Sequence, residues 1–266
     1  MKLLTAFLTC WVFGLAAAPV LTTVYQGQSR QWTLAQLQQQ LPVQSVTLYD
    51  PSYQQHKSYR GFIFNELLQK TGFPPLDPDD TLVLTARDGY APTMSAAQLQ
   101  QAAVLVFAEA GMPDFVFSPL QQGKSSLSPA PFYLVWPQAG AQAAQCAWPY
   151  QLVKIELIRF RDRYARVIPR STASASVQQG FALFTQHCLK CHSINLQGGE
   201  LGPELNAPKN ITEYWQLNDL KAFIRNPASY RYQSKMPAFS HFSDAEIDAI
   251  LAYLQQMKQQ KINSQP

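Results

Sequence analysis

Apolar and polar residues alternate at short range through the first 160 positions. Trp32–Leu34 and Val46–Tyr49 are β-branched and aromatic runs, and each predicts a short strand. Gly61–Lys70 instead sets Phe62, Leu67 and Leu68 inward with Gly72 just past its end, the pattern of a short helix. Thr81–Ala86 returns to alternation and runs into an Asp88-Gly89 turn. Ala96–Ala102 predicts another short helix. Val104–Ala108 and Phe132–Trp136 are unbroken apolar runs flanked by Pro and Gly, as buried strands are. Leu152–Phe160 places Val153, Ile155, Leu157 and Phe160 against Lys154, Glu156 and Arg159, a half-buried strand, and Pro113–Pro131 is a long Pro/Ser/Gly connection. Strands and helices mixed in this way predict an α+β domain.

Beyond residue 168 the period changes. Arg161–Arg170 is basic and Ser171–Ser176 is small and polar, so residues 169–176 are expected to link two domains, 19–168 and 177–266. Val177, Phe181, Phe184 and Cys188 then recur at helical spacing, with Gly180 on the same face, where a second helix could cross closely. Asn218 is the expected cap of a helix with Leu220, Phe223 and Ile224 inward, ended by Pro227. Ser243-Asp244-Ala245-Glu246 is a capping box, and it opens a stripe of Ile247, Ile250, Leu251 and Leu254. The C-terminal domain is therefore expected to be all-α.

The N-terminus adds a compartment. Lys2 precedes an apolar run, Leu3–Ala18, closed by Gly14, Ala16, Ala17 and Ala18, the layout of a secretory signal peptide over residues 1–18. Cleavage removes Cys10 and sends the mature chain to the periplasm; retention would make Leu3–Val24 a membrane anchor, the one route to membrane contact. Composition narrows the rest. With 47% apolar residues the 266-residue chain is too hydrophobic for disorder. A net charge of +4, with 14% charged residues and no Lys/Arg run, argues against a nucleic-acid partner. Four cysteines are too few for a disulfide scaffold.

The strongest chemical signal is Cys188-Leu189-Lys190-Cys191-His192. C-x-x-C-H is the attachment sequence of c-type haem: two thiols three positions apart add to the two vinyl groups of one porphyrin, and the next residue lies beneath the iron. A zinc site would need two more ligands, and no second cysteine pair exists. A thioredoxin-like pair would not need the histidine, and a plain disulfide is the third alternative. For the sixth iron position Met236 is the candidate, because Pro237 turns the backbone before it away from helix and leaves it on a loop. A lone Met is otherwise a core filler. His187 and His241 are the alternatives, and His187 lies too near Cys188 to reach the opposite face.

Residues 175–260 resemble a class I cytochrome c, in Gly180 and Phe184 before the motif, Gly202-Pro203-Glu204-Leu205 after it, the Met236-Pro237 loop and the last helix with Tyr253. The resemblance implies one covalent haem c on Cys188 and Cys191, iron held by His192 (proximal) and Met236 (distal), and the Pro203 carbonyl accepting from His192 Nδ1. Trp215, Tyr230, Arg231 and Tyr232 are candidates to bond the propionates. His/Met ligation leaves no open iron site, which implies outer-sphere electron transfer between redox proteins, a donor dehydrogenase and an acceptor oxidase or cytochrome, rather than catalysis.

Residues 30–160 resemble the sulfite oxidase-like, molybdopterin-binding fold. The echo rests on Tyr59-Arg60-Gly61-Phe62, Leu84-Thr85-Ala86-Arg87-Asp88-Gly89-Tyr90, Pro131-Phe132-Tyr133-Leu134-Val135-Trp136-Pro137, Trp148 and the strand Val153–Leu157. Catalytic members bind molybdenum through a cysteine after an early strand. Here the comparable Val46-Thr47-Leu48-Tyr49-Asp50 has none, and Cys146 lies elsewhere in the chain, so a degenerate domain without molybdopterin is expected, serving for docking or ligand binding. The alternative is a haem-containing, molybdopterin-dependent oxidoreductase acting on a small periplasmic substrate such as sulfite.

Overall fold

The computed structural model describes residues 20–100, 102–122, 125–138 and 146–262. The expected signal segment, 1–18, lies outside them. The described chain opens with β1 (Val20–Tyr25), β2 (Gln28–Thr33) and α1 (Leu34–Gln40), followed by β3 (Gln44–Asp50), β4 (Gln55–Ile63) and α2 (Phe64–Lys70). Next come β5 (Asp80–Ala86), β6 (Thr93–Ser95), β7 (Val104–Glu109), the β8–β9 hairpin (Leu120–Gln122, Ser125–Leu127), β10 (Tyr133–Val135) and β11 (Leu152–Arg159).

These strands form two main sheets. One has the order β2-β1-β11-β5-β6, with β1 and β11 parallel; the other is antiparallel in the order β10-β7-β4-β3. Strand β7 explains its own unbroken apolar run, because both of its faces are covered. Leu105 and Phe107 join Phe62, Leu84, Leu134 and Ile155 in the main core. Val104 and Val106 turn the other way, towards Leu48, Tyr59, Phe117 and Tyr133.

Three expected elements change here. Gly61–Ile63 ends β4 instead of starting a helix: the β4–β7 register shifts between Arg60 and Gly61, and a Cβ on Gly61 would stand 2.5 Å from the Leu105 carbonyl oxygen. Strand packing overrides the helical pattern, and α2 begins only at Phe64. Leu34 likewise leaves the strand and starts α1, whose capping box is Thr33 with Gln36. Ala96–Ala102 yields a single 3-10 turn, Gln98–Gln100.

The C-terminal part holds α3 (Phe160–Arg163), α4 (Ala175–His187), a two-residue hairpin of β12 (Ser193–Ile194) and β13 (Gln197–Gly198), α5 (Leu217–Arg225) and α6 (Asp244–Met257). The hairpin departs from the all-α expectation. Helix α5 starts after Gln216, two residues before the expected Asn218 cap. The Ser243 capping box forms as expected and opens α6. Helices α4 and α6 cross at Gly180, where a Cβ would stand 1.9 Å from the Ala249 carbonyl oxygen.

The segment between the two parts is a packed strap. Tyr164 and Val167 are buried in one apolar cluster with Phe184, Ile250, Tyr253 and Leu254, and Val83 and Ala91 of the N-terminal part enter the same cluster. Tyr253 Oη donates to the Val167 carbonyl at 2.7 Å, and Gln260 Nε2 to that of Ile168 at 3.3 Å. Within the expected linker, Pro169 is buried and Ser174 caps α4. Cohesion thus runs across the boundary drawn from composition.

Candidate functional site

Helix α4 delivers the C-x-x-C-H sequence. Its last turn widens at Cys188, where the N–H groups of Cys188 and Leu189, four and five residues on, both donate to the Phe184 carbonyl, at 2.8 and 2.9 Å. A further turn places the Cys191 and His192 N–H groups on the Cys188 carbonyl, at 3.0 and 2.9 Å. Leu189 points into the core, and Cys188 and Cys191 are partly buried on either side of it. Burial pushes the Cys188 thiol up to about 12 against the lowering charge of Lys190, and it raises Cys191 as well. Among the described residues no group of three or more His, Cys, Asp or Glu is placed to hold a metal ion.

His192 is oriented from behind. Its Nδ1 lies 2.8 Å from the Pro203 carbonyl oxygen. A carbonyl only accepts, so Nδ1 carries the proton and Nε2 keeps its lone pair. Burial pushes the imidazole below its ordinary range, against the Pro203 bond, and keeps it neutral. Gly202 packs flat against the ring: a Cβ there would stand 2.5 Å from Cε1 and 2.7 Å from Nδ1. A partnered Nδ1–H and an unprotonated Nε2 are what an axial imidazole requires.

A chain of buried amides holds the segment from His192 to Pro203, and no sequence motif announces it. Asn206 donates to Asn195 Oδ1 (2.8 Å) and to the Met257 carbonyl (3.0 Å). Asn210 donates to Asn206 Oδ1 (2.7 Å) and to the Leu254 carbonyl (2.9 Å). Asn195 in turn donates to the carbonyls of Arg166 and Gln260, both at 3.0 Å. Glu204 accepts from the backbone N–H groups of Asn195, Leu196, Asn206 and Ala207 at 2.8 to 3.0 Å. Loop, strap and the end of α6 are thereby tied together behind the histidine. Every amide in the chain is paired, as burial demands.

Met236 lies on the irregular segment before α6, half-buried against the same apolar cluster as Cys188. The other ligand candidates have different roles. His187 meets the rings of Phe239 and Phe242 edge-on, at 6.2 and 5.0 Å, and burial lowers its basicity; His241 packs on the same two rings. Of the propionate candidates, Trp215 and Tyr230 form an aromatic trio with Phe223, and Tyr232 is exposed.

In the N-terminal part, Val46–Asp50 lies in β3 and ends on a fully buried carboxylate. Asp50 accepts from Tyr59 Oη (2.6 Å), Tyr133 Oη (3.0 Å) and the Ser52 N–H (2.8 Å). Lys57 pairs with Glu109 nearby. Cys146 packs, partly buried, against the main N-terminal core beside Trp148. The Asp50 carboxylate is thus committed to structural donors.

Residues 177–258 match the family described as Cytochrome c. The chain is 29% identical over 132 residues to cytochrome c oxidase subunit 2 of Alkalihalophilus pseudofirmus, covering 45% of this chain and 39% of that protein. It is 31% identical over 87 residues to the cbb3-type cytochrome c oxidase subunit CcoP of Azospirillum brasilense, covering 32% and 30%. It therefore spans well under half the length of either curated relative. The sulfane dehydrogenase SoxCD from Paracoccus pantotrophus aligns with 55% of this chain and 41% of its own at 12% identity, with a TM-score of 0.35, too low to support an argument about the N-terminal part. The C-terminal residues 177–258 are a cytochrome c domain, and such a domain binds haem c covalently.

Proposed function

We propose that the chain is an exported electron carrier with one haem c, bonded through Cys188 and Cys191 and ligated by His192 Nε2 and Met236. The observation that carries this reading is the fixed tautomer of His192: its Nδ1 is held by Pro203 and its ring face is fitted against Gly202. When bound, the haem supplies a reversible one-electron couple. The protein's own residues orient the imidazole, keep it neutral, and offer a thioether from the Met236-Pro237 loop. With both axial positions filled by protein, no substrate site opens at the metal, which favours a carrier over an enzyme. Two relatives are oxidase subunits. That favours redox proteins as partners, a donor dehydrogenase and an acceptor oxidase or cytochrome.

The N-terminal part serves for docking or ligand binding on this reading, without catalysis. Its sulfite oxidase-like character rests on the sequence echo, and the Asp50 segment does not fit a molybdenum thiolate. Among the described residues no helix is long and apolar enough to cross a membrane; the periplasmic assignment rests on the Leu3–Ala18 pattern.

The test is metal analysis of the chain produced alongside haem-ligation and molybdopterin-maturation pathways. One iron per chain, haem that survives denaturation and no molybdenum are expected. Stoichiometric molybdenum would overturn the carrier reading, and a colourless product would overturn the haem assignment.

A further inference from the structure

The Asp88–Tyr90 turn reads in sequence as an ordinary strand end, yet the structure seats it on the haem-attachment loop. The Ala91 N–H donates to the Lys190 carbonyl at 2.8 Å, between the two motif cysteines. The Glu200 N–H donates to the Gly89 carbonyl at 2.8 Å. Gly89 has φ +86, and a Cβ there would stand 2.9 Å from Glu200 Cβ and from its backbone carbonyl carbon. Asp88 shapes the turn by accepting the Tyr90 N–H at 3.0 Å. Ala91 is buried in the apolar cluster that holds Leu189. The turn is thus bonded to both segments that flank His192, and each bond crosses from one part of the chain to the other.

We propose that this turn is the surface by which the N-terminal part docks, that its partner is the chain's own haem-attachment loop, and that Asp88 and Tyr90 are positioning residues that set the haem's reduction potential. The proposal rests on the reading that Cys191 carries the porphyrin edge. Geometry sets both residues beside that cysteine: the Ala91 N–H that follows Tyr90 is bonded to the Lys190 carbonyl, one residue before Cys191, and the Gly89 carbonyl between Asp88 and Tyr90 takes the Glu200 N–H. Their effects oppose each other. The ferric form carries one more positive charge than the ferrous form, so the exposed Asp88 carboxylate favours ferric haem and lowers the potential. The Tyr90 ring excludes water from that edge, disfavours the more charged state and raises the potential. The domain boundary thereby becomes part of the haem's environment.

The test uses the full haem-loaded chain. Asp88→Asn should raise the potential, and Tyr90→Ala should lower it, each by roughly two- to fivefold in the equilibrium constant with a redox dye; tenfold is about 59 mV for one electron. Tyr90→Phe, which keeps the ring, should leave the potential in place. Gly89→Val should remove the hydrogen-exchange protection of the Glu200 amide by about tenfold or more. Gly111→Val is the control, since Gly111 has a similar φ of +79 with nothing within 4 Å of a Cβ. It should leave that amide protected. Potentials that stay fixed, or that both fall as general loosening would make them, overturn the assignment of Asp88 and Tyr90. An equally protected Glu200 amide in Gly89→Val overturns the docking itself, a readout that does not depend on haem. A wild-type chain without covalent haem sinks the carrier reading and leaves the docking readout standing.

Discussion

Gly202→Ala is the sharpest perturbation of the histidine. Gly202 is not among the residues with positive φ, so alanine suits its backbone. By entropy alone, the change would stabilise the chain by about 0.4–1 kcal/mol. The obstacle is the His192 ring, with Cε1 2.5 Å, Nδ1 2.7 Å and Nε2 3.0 Å from the new methyl. Carbon atoms settle at about 3.5–4.0 Å, so the ring must retreat by about 1 Å. The amide chain through Asn195 and Asn206 and the Glu204 contacts leave the loop little freedom to follow. A retreat of that size takes the 2.8 Å bond to Pro203 out of hydrogen-bonding range. The bond is worth about 0.5–1.5 kcal/mol net and overpacking costs about 1–3 kcal/mol, so, less the entropic gain, a loss of about 1–4 kcal/mol is expected.

Two assays read that loss. Denaturant unfolding of the haem-loaded chain should show the lower midpoint. Acid titration of the haem spectrum should show more, because losing such a supporting bond weakens metal affinity about 10- to 100-fold. A proton competes with iron for Nε2, and a weaker bond yields at a lower proton concentration. The displacement midpoint should therefore rise by about one to two pH units. If both midpoints match those of the unaltered chain, Gly202 does not set the ring position and the account of His192 fails.

Other outcomes follow from the same structure. Met236→Ala should abolish the long-wavelength band of His/Met haem and lower the potential; an unchanged spectrum would defeat the ligand assignment. Burial opposes ionisation of Glu204, but the N–H groups of Leu196, Ala207 and Asn206 and the Ser193 hydroxyl outweigh it and hold the carboxyl below its ordinary range. A depressed carboxylate contributes stability above the unfolded-state value of about 4.3, and the contribution is lost as pH falls through the folded value. Urea midpoints should therefore fall below about pH 5 in the natural chain and fall less steeply in Glu204→Gln. A fragment starting at Phe160 should hold haem and fold more stably than one starting at Pro169, which lacks Tyr164 and Val167. Burial of such side chains is worth about 2 kcal/mol each, and equal stability would mean that the strap merely lies on the surface.

Sequence disclosed most where chemistry leaves few choices. Only a particular spacing lets two thiols and an imidazole serve one porphyrin, so residues 188–192 announce themselves. Gly180 was legible for a similar reason, since a small residue on an apolar helix face has little use except a close crossing. The capping box at Ser243 is a local signal and formed locally. Failures came where distant contacts decide. Gly61–Ile63 carries a helical pattern, and the neighbouring β7 strand holds it extended. Asn195, Asn206 and Asn210 look like ordinary loop residues, because an amide advertises neither its partner nor its burial.

The strap and the docked turn show the same limit at the scale of domains. Composition draws a boundary at residues 169–176 because Ser, Thr and Ala there offer little to bury. Cohesion between the two parts resides instead in Val83, Ala91, Tyr164 and Val167, which sit on the N-terminal side of that boundary and pack on its C-terminal side. Each is individually unremarkable, an apolar residue at a strand face or in a loop. Their role depends on what faces them, and that is set by where α6 presents Tyr253 and where the haem-attachment loop presents the Lys190 carbonyl. A cytochrome domain with its haem bonded covalently does not need a neighbour to retain it. A neighbour that is nonetheless hydrogen-bonded to the attachment loop on both sides is therefore better explained by control of the haem's surroundings than by haem retention.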